Sequence, residues 1–413
     1  MTRRTALALA LLVAATACTR VGEPTPLRVG ALYPLSGSQG PGGIDEHRGV
    51  LLAAELAGGQ PRGVGPIEVV SIDVPAADAA PGAVAALDEA GVDLVVGSYG
   101  STISAVIARA TAARGLLFWE TGAVGMLPPG VARGELTFRM APTGAVLGRN
   151  AIAFVAERLA GELGRSPSSL RFGVAFVRDA YGRAVARGAL AEIRERGLHL
   201  VGRFGYDALN THWRAFARRI ERAGVEVLFV SAYLEDGIAM RRAIVREDVP
   251  LVASIGTSSS YCMPEFGAAL GPDAVGLFAS DKPDAGAIDP SALGPDAREL
   301  LERASRAYRE RWGRPMSAAA LAGFSAAWAL FHEVLPRARS ADPLDVAAAA
   351  RGLELPVGAL PNGSGLRFGS PGTPDAGDNL RAASVIWEWV RPGEHVVVWP
   401  PLFATAPVRA LPP

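Results

Sequence analysis

The chain contains one lysine, Lys282, so its positive charge is carried by arginine, a bias typical of GC-rich coding. Acidic and basic residues balance at 41 each, which leaves no footprint for nucleic acid or for an acidic polymer as partner. Cysteine is nearly missing too. Cys18 and Cys262 are the only two, and their spacing fits no metal site. The five histidines, at positions 47, 199, 212, 332 and 395, fall one to a segment without the clustering that acid–base or metal chemistry needs. A Gly-x-Gly-x-x-Gly fingerprint, a P-loop, a nucleophile elbow and a His-Glu-x-x-His pair are all lacking. The run from Ser36 to Gly43 is rich in glycine, but its spacing does not suit close approach of backbone to a pyrophosphate. These absences argue against an enzyme and against any cofactor or metal. Binding is the function class left open.

What is present begins with a leader. Arg3 and Arg4 form a positive n-region, residues 5–17 a short apolar run, and Ala15-Thr16-Ala17-Cys18 a small-residue processing site. The run is too short for a permanent membrane span. A processing site ending in cysteine predicts a lipoprotein, with residues 1–18 as leader, Cys18 lipidated, and residues 19–26 as a polar tether at the periplasmic or cell-surface face of a membrane. With Cys18 so used, Cys262 has no partner for a disulfide. The remaining chain, roughly 395 residues, exceeds what one core usually supports, so two domains are expected.

Hydrophobic periodicity then alternates between strand and helix. Residues 27–33, 67–73, 92–96 and 116–119 read as strands, and Ile103, Val106, Ile107 and Ala110 mark a helix that starts near Ser101 and stops at Gly115. Such βαβ order predicts a parallel sheet. The pattern restarts after Phe138-Arg139-Met140-Ala141-Pro142. Strands are predicted at 172–177, 198–206, 225–230 and 251–255, with helices between them. Two long helices, 296–312 and 318–335, follow without strands. A hairpin over 385–399 turns at Pro392-Gly393.

Several segments, in order, carry a family resemblance. LRVGALYPLSGSQGPGG followed by DEHRGVLLAAELA is similar to the opening strand, glycine-rich loop and first helix of the leucine/isoleucine/valine-binding protein family, the type I periplasmic solute-binding proteins of ABC transporters. VDLVVGSYGSTISAVIARATAARGLLFWETGA resembles that family's second landmark. FRMAP, VRDAYGRAVARGALAEIRERG, VEVLFVSAYLEDG and WEWVRPGEHVVVWPP resemble the inter-lobe crossover, the Asp-x-Tyr-Gly turn, the second-lobe ligand strand and the closing hairpin. The resemblance implies an α/β fold of two Rossmann-like lobes with parallel sheets, joined by a three-crossover hinge. It places an N-terminal lobe at 27–141 plus 279–353 and a C-terminal lobe at 142–278 plus 354–413. It also implies a monomer that closes on a small-molecule ligand and presents it to ABC permease subunits, with the membrane touched only through the lipid. A ligand sensor for amides is the alternative.

The same resemblance nominates a site. Ser101 stands at a strand-to-helix junction, where it either caps the helix or turns its hydroxyl toward a ligand oxygen. Gly122 and Ala123 match the positions whose backbone clasps the ligand, although Val124 replaces the usual hydroxyl residue. Tyr99, Trp119 and Thr121 match the amide-binding branch, with a core role equally open for Trp119. Tyr181 and Tyr233 match the second-lobe aromatics, which offer stiff surface for closure. Where branched-chain amino-acid receptors place an acidic residue for the ligand's ammonium group, Gly256-Thr257-Ser258-Ser259-Ser260 offers hydroxyls, Ser258 among them. Glu120 and Asp179 are nearby carboxylates off the matching position. Enclosing an unpaired ammonium is costly, so the expected ligands lack one: amides, ureas or small carboxylates.

Overall fold

The computed structural model describes residues 26–58, 65–128, 131 and 133–409. The leader, Cys18 and the tether as far as Thr25 lie outside the described residues. Two sheets form the framework. The first runs β2-β1-β3-β4-β5, all parallel, from β1 (Leu27–Tyr33), β2 (Ile67–Asp73), β3 (Leu94–Gly97), β4 (Leu117–Glu120) and β5 (Thr137–Arg139). The second is built from β6 (Arg171–Val177), β7 (His199–Tyr206), β8 (Val227–Ser231), β9 (Ala253–Thr257), β10 (Phe278–Asp281), β11 (Val385–Arg391) and β12 (Glu394–Trp399). Its order is β12-β11-β10-β9-β8-β6-β7, with the hairpin β11–β12 added antiparallel to an otherwise parallel sheet.

Strands β3, β4, β8 and β9 are buried along their whole length, and in β3, β4 and β8 the residues before the last form an unbroken apolar run with no alternation. Helices cover both faces. In the helix Ser101–Ala112, Ile103 and Ile107 are buried at i and i+4, each stabilising the lobe by roughly 1.5–3 kcal/mol. The strand-poor helix Ala318–Trp328 returns to the first lobe and packs on the helix Gly40–Gly58. Their backbones touch: a β-carbon on Gly49 would lie 2.1 Å from the Ala320 carbonyl, and one on Gly323 would lie 2.2 Å from the Glu46 carbonyl. The segment Ala318–Arg337 is apolar and long enough to cross a bilayer, yet 83% of its most apolar 18-residue stretch is buried inside the lobe, as expected of a core helix.

Two lobe boundaries differ from those expected. Strand β10 extends through Asp281 in the second sheet, so the crossover out of that lobe falls after 281 and not at 279. The return falls later than 354. Phe368 packs its ring against Trp119 and Phe138, at centroid distances of 5.3 and 4.8 Å, and Asp378 bridges to Arg139 at the edge of β5. The first lobe's sheet edge thus needs residues 366–379 to cover it, and the chain rejoins the second lobe only at β11.

Candidate functional site

In each sheet the strand order reverses once, between β1 and β3 in the first lobe and between β6 and β8 in the second. Loops leaving the carboxyl ends of neighbouring strands diverge at such a point and leave a crevice. The two crevices face each other. From the first lobe come the loop after β3, bearing Tyr99 and Ser101, and the loop after β4, bearing Gly122 and Ala123. From the second come Tyr181 after β6, Tyr233 after β8, and Ser258 and Ser259 after β9. Together with Gly100, Val124 and Lys282 these residues line one narrow cleft between the lobes. A wider groove between the helix Pro295–Trp312 and the loop 355–359 lies away from the strand ends.

Hydrogen bonds fix most of the wall. The Tyr181 hydroxyl meets Thr257 Oγ1 at 2.8 Å and donates to the Ser258 carbonyl, tying down the loop after β9. The Tyr233 hydroxyl donates to Asp179 Oδ2 at 2.5 Å, and the two tyrosine rings lie 5.3 Å apart. Ser258 donates to Asp281 Oδ1 at 2.5 Å. Across the cleft, Tyr99 donates to Ser259 Oγ at 3.1 Å.

Lys282 is the charged member. It follows β10 immediately, is 3% exposed, and donates from Nζ to the Gly122 carbonyl at 3.1 Å, with Asp281 Oδ1 at 3.9 Å. Burial works against its charge, but Asp281 and Glu46 outweigh burial and hold its pKa above the usual lysine value. Behind the loop 121–125 sit two buried carboxyls. Glu46 accepts from Thr121 Oγ1 at 2.5 Å; burial pushes it up to about 7 against the pull of Lys282. Burial likewise pushes Glu120 up to about 8, partly offset by Arg139. A side chain at Gly122 would meet Glu46 Oε2 at 1.9 Å, so only glycine lets the loop lie here.

Seven of the nine expected residues therefore gather at the cleft: Tyr99, Ser101, Gly122, Ala123, Tyr181, Tyr233 and Ser258. Trp119 does not, and its assignment as a ligand platform is corrected. It is fully buried between Phe138 and Phe368 and donates Nε1–H to the Ala326 carbonyl at 2.9 Å. Thr121 is likewise behind the loop, bonded to Glu46 and to the Tyr33 hydroxyl at 2.6 Å. The clasping role expected of the Gly122 and Ala123 amides is also overturned. Both donate to Glu120 Oε1, at 3.1 and 2.5 Å, so the chain's own carboxylate has taken them. Ser101 does not cap its helix, since Gly100 is the N-cap; its Oγ accepts from Gly125 N at 2.9 Å, which leaves the hydroxyl proton free to donate. Asp179 caps the helix Ala180–Glu195 through Gly182 N at 2.8 Å. Sequence reasoning missed Lys282 and the role of Ser259. A solitary lysine in an arginine-rich chain was the available signal for the first.

Comparison with known proteins gives the same answer as the geometry. The profile described as periplasmic binding protein matches residues 26–376. The Leu/Ile/Val-binding protein homolog 8 of Brucella abortus (strain 2308) is 25% identical over 392 residues, 93% of each chain. A leucine-binding protein from Thermotoga maritima superposes with a TM-score of 0.74 at 18% identity, covering 90% of this chain and 97% of its own. An ABC transporter solute-binding protein from R. palustris, solved with benzoate, gives 0.70 at 14% identity, covering 94% and 99%. With two α/β lobes facing across a cleft and a family match over most of its length, the chain belongs to the periplasmic binding protein family, as a type I solute-binding protein and not an enzyme.

Proposed function

We propose that the protein captures a small carboxylate lacking an α-ammonium group between its lobes and delivers it to an ABC importer. The charge of the cleft wall carries this reading. Among the described residues lining it, Lys282 is the one cation and no carboxylate faces it. Glu120 is committed to loop amides, Asp179 to Tyr233 and its own helix, and Asp281 to Ser258 and to Lys282 itself. An α-amino acid would bring an ammonium beside Lys282 with no partner, at a desolvation cost that a plain acid avoids. Benzoate, the ligand solved with the R. palustris protein, is such an acid.

In the proposed cycle the acid docks first on the N-terminal lobe, where Ser101 and the unpaired amides of its helix's first turn meet an oxygen. The second lobe then closes, bringing Tyr181 and Tyr233 over the ligand body, and the permease receives the closed form. The leader supports anchoring through a lipidated Cys18, with the monomer held at the periplasmic or outer face of a membrane. The sensor alternative draws on Tyr99, Trp119 and Thr121 matching the amide-binding branch; Trp119 and Thr121 lie behind the wall and only Tyr99 lines the cleft, so the importer reading is preferred.

The test is a calorimetric and thermal-shift screen pairing each amino acid with its deaminated acid and its amide. The acids are expected to bind and the amino acids to fail. Tight binding of leucine or valine, with their deaminated analogues inert, would overturn the proposal.

A further inference from the structure

We propose that Tyr99 and Ser259 form a partition that divides the cleft into an inner and an outer chamber and so limits the length of ligand the protein accepts. This inference rests on the carboxylate reading above. The inner chamber is the one described. The outer is walled by Pro41, Cys262, Met263, Asp281, Arg314 and Ser317 among others. Of all the residues lining either, only Tyr99, Ser258, Ser259 and Lys282 line both. The outer chamber reaches the surface where Arg314 of the first lobe and Glu265 of the second approach to 3.9 Å, with their side chains 40% and 42% exposed.

The partition is built from both sides. Tyr99 comes from the first lobe and Ser259 from the second, joined by the 3.1 Å hydroxyl contact. The Tyr99 ring lies against the first turn of the helix Gly40–Gly58, where a β-carbon on Gly42 would stand 2.3 Å from its Cζ. Any other residue at 42 would push the ring out of the dividing plane. On the opposite side Ser259 holds φ at +71°, a left-handed conformation that residues with a β-carbon disfavour. The surrounding loop therefore holds the Ser259 hydroxyl where Tyr99 can reach it. Because its two halves belong to different lobes, the contact breaks on opening and reforms on closure.

A ligand short enough for the inner chamber lets the bond reform. A longer one must displace it and place its tail between Asp281 and Arg314, an environment unsuited to an alkyl chain. Chain-length selectivity follows from the pair, separately from whatever holds the carboxylate.

The experiment uses the mature protein and calorimetry with straight-chain acids from acetate to octanoate, together with the primary amides of the same lengths. Wild type, Tyr99→Ala, Tyr99→Phe and Ser259→Ala are compared by the ratio of long-chain to short-chain affinity. Tyr99→Ala is expected to raise that ratio by about tenfold or more, the scale of misfit by one or two methylenes. Tyr99→Phe and Ser259→Ala, which remove only a hydroxyl, raise it less and keep the test decisive if Tyr99→Ala fails to fold. A uniform loss at every length, with the ratio unchanged, would reduce Tyr99 to an ordinary ligand contact and overturn the partition. Amides binding in place of acids, with the same change of ratio, would sink the carboxylate reading while the partition stands. Failure of wild type and variants to bind either series overturns both.

Discussion

Replacing Lys282 by methionine keeps the length of the side chain and removes the one cation among the described residues lining the inner chamber of the cleft. The ammonium has three protons: one goes to the Gly122 carbonyl at 3.1 Å, and Asp281 stands at 3.9 Å, so hydrogen-bonding capacity remains for a ligand oxygen. A bond from the ammonium to a carboxylate, charged on both sides, contributes about 1.5–3 kcal/mol, and one to an amide, charged on the donor side alone, contributes less. Lys282→Met should therefore weaken an acid by about 10- to 150-fold and its amide by less. The acid-to-amide affinity ratio is the informative quantity. The variant also leaves Asp281 and Glu46 without their counter-charge, and breaking a buried pair costs about 3–5 kcal/mol. Glu46 relieves part of that cost. Without the pull of Lys282 its carboxyl rises from about 7 and takes up a proton. Calorimetry with matched acid and amide pairs, run beside thermal melts of wild type, Lys282→Met and Lys282→Arg, separates the two effects. Lys282→Arg should retain acid preference because it retains the charge. If Lys282→Met lowers the melting temperature but leaves the acid-to-amide ratio as in wild type, the lysine only ties the crossover to the loop 121–125, and the electrostatic argument fails.

The pH dependence of stability follows from Glu46 and Glu120, raised to about 7 and about 8 from an ordinary 4.5. The folded state holds protons that the unfolded chain has released, so the stability these two groups contribute is fully present below about pH 4.5 and is lost as pH rises to about 8. Melting from pH 5 to 9 should show that slope, and Glu120→Gln should flatten it; a slope unchanged in the variant refutes the assignment. Trp119→Phe should destabilise the fold by about 1–3 kcal/mol, through the lost Ala326 bond and the cavity left behind, with ligand affinity preserved. Lower affinity at unchanged melting temperature would return Trp119 to the ligand site. Cys18→Ser should release the protein from membranes, and mass spectrometry of the N-terminal peptide should find lipid on Cys18; a free thiol there in membrane-extracted protein would contradict it.

The sequence by itself determined what local chemistry determines. A charged, apolar and small-residue leader reads the same wherever the chain folds, and period-2 or period-3.6 patterns report which residues are buried. The helix from Ser101, the restart after Pro142 and the hairpin at Pro392-Gly393 were therefore legible, and the order of landmarks placed Tyr99, Ser101, Tyr181, Tyr233 and Ser258 on facing loops. Burial does not name its partner, however. Trp119 has the same apolar context whether it ends in a ligand cleft or a core, and only Phe368 and the Ala326 carbonyl, 207 residues along the chain, settle that it is core. Lys282 had no local pattern to mark it. Its place depends on β10 ending opposite Gly122, 160 residues away. The diversion of the Gly122 and Ala123 amides to Glu120 belongs to the same class. Residue types announce a loop that can bind an anion; only the packed structure shows that an internal carboxylate already sits there.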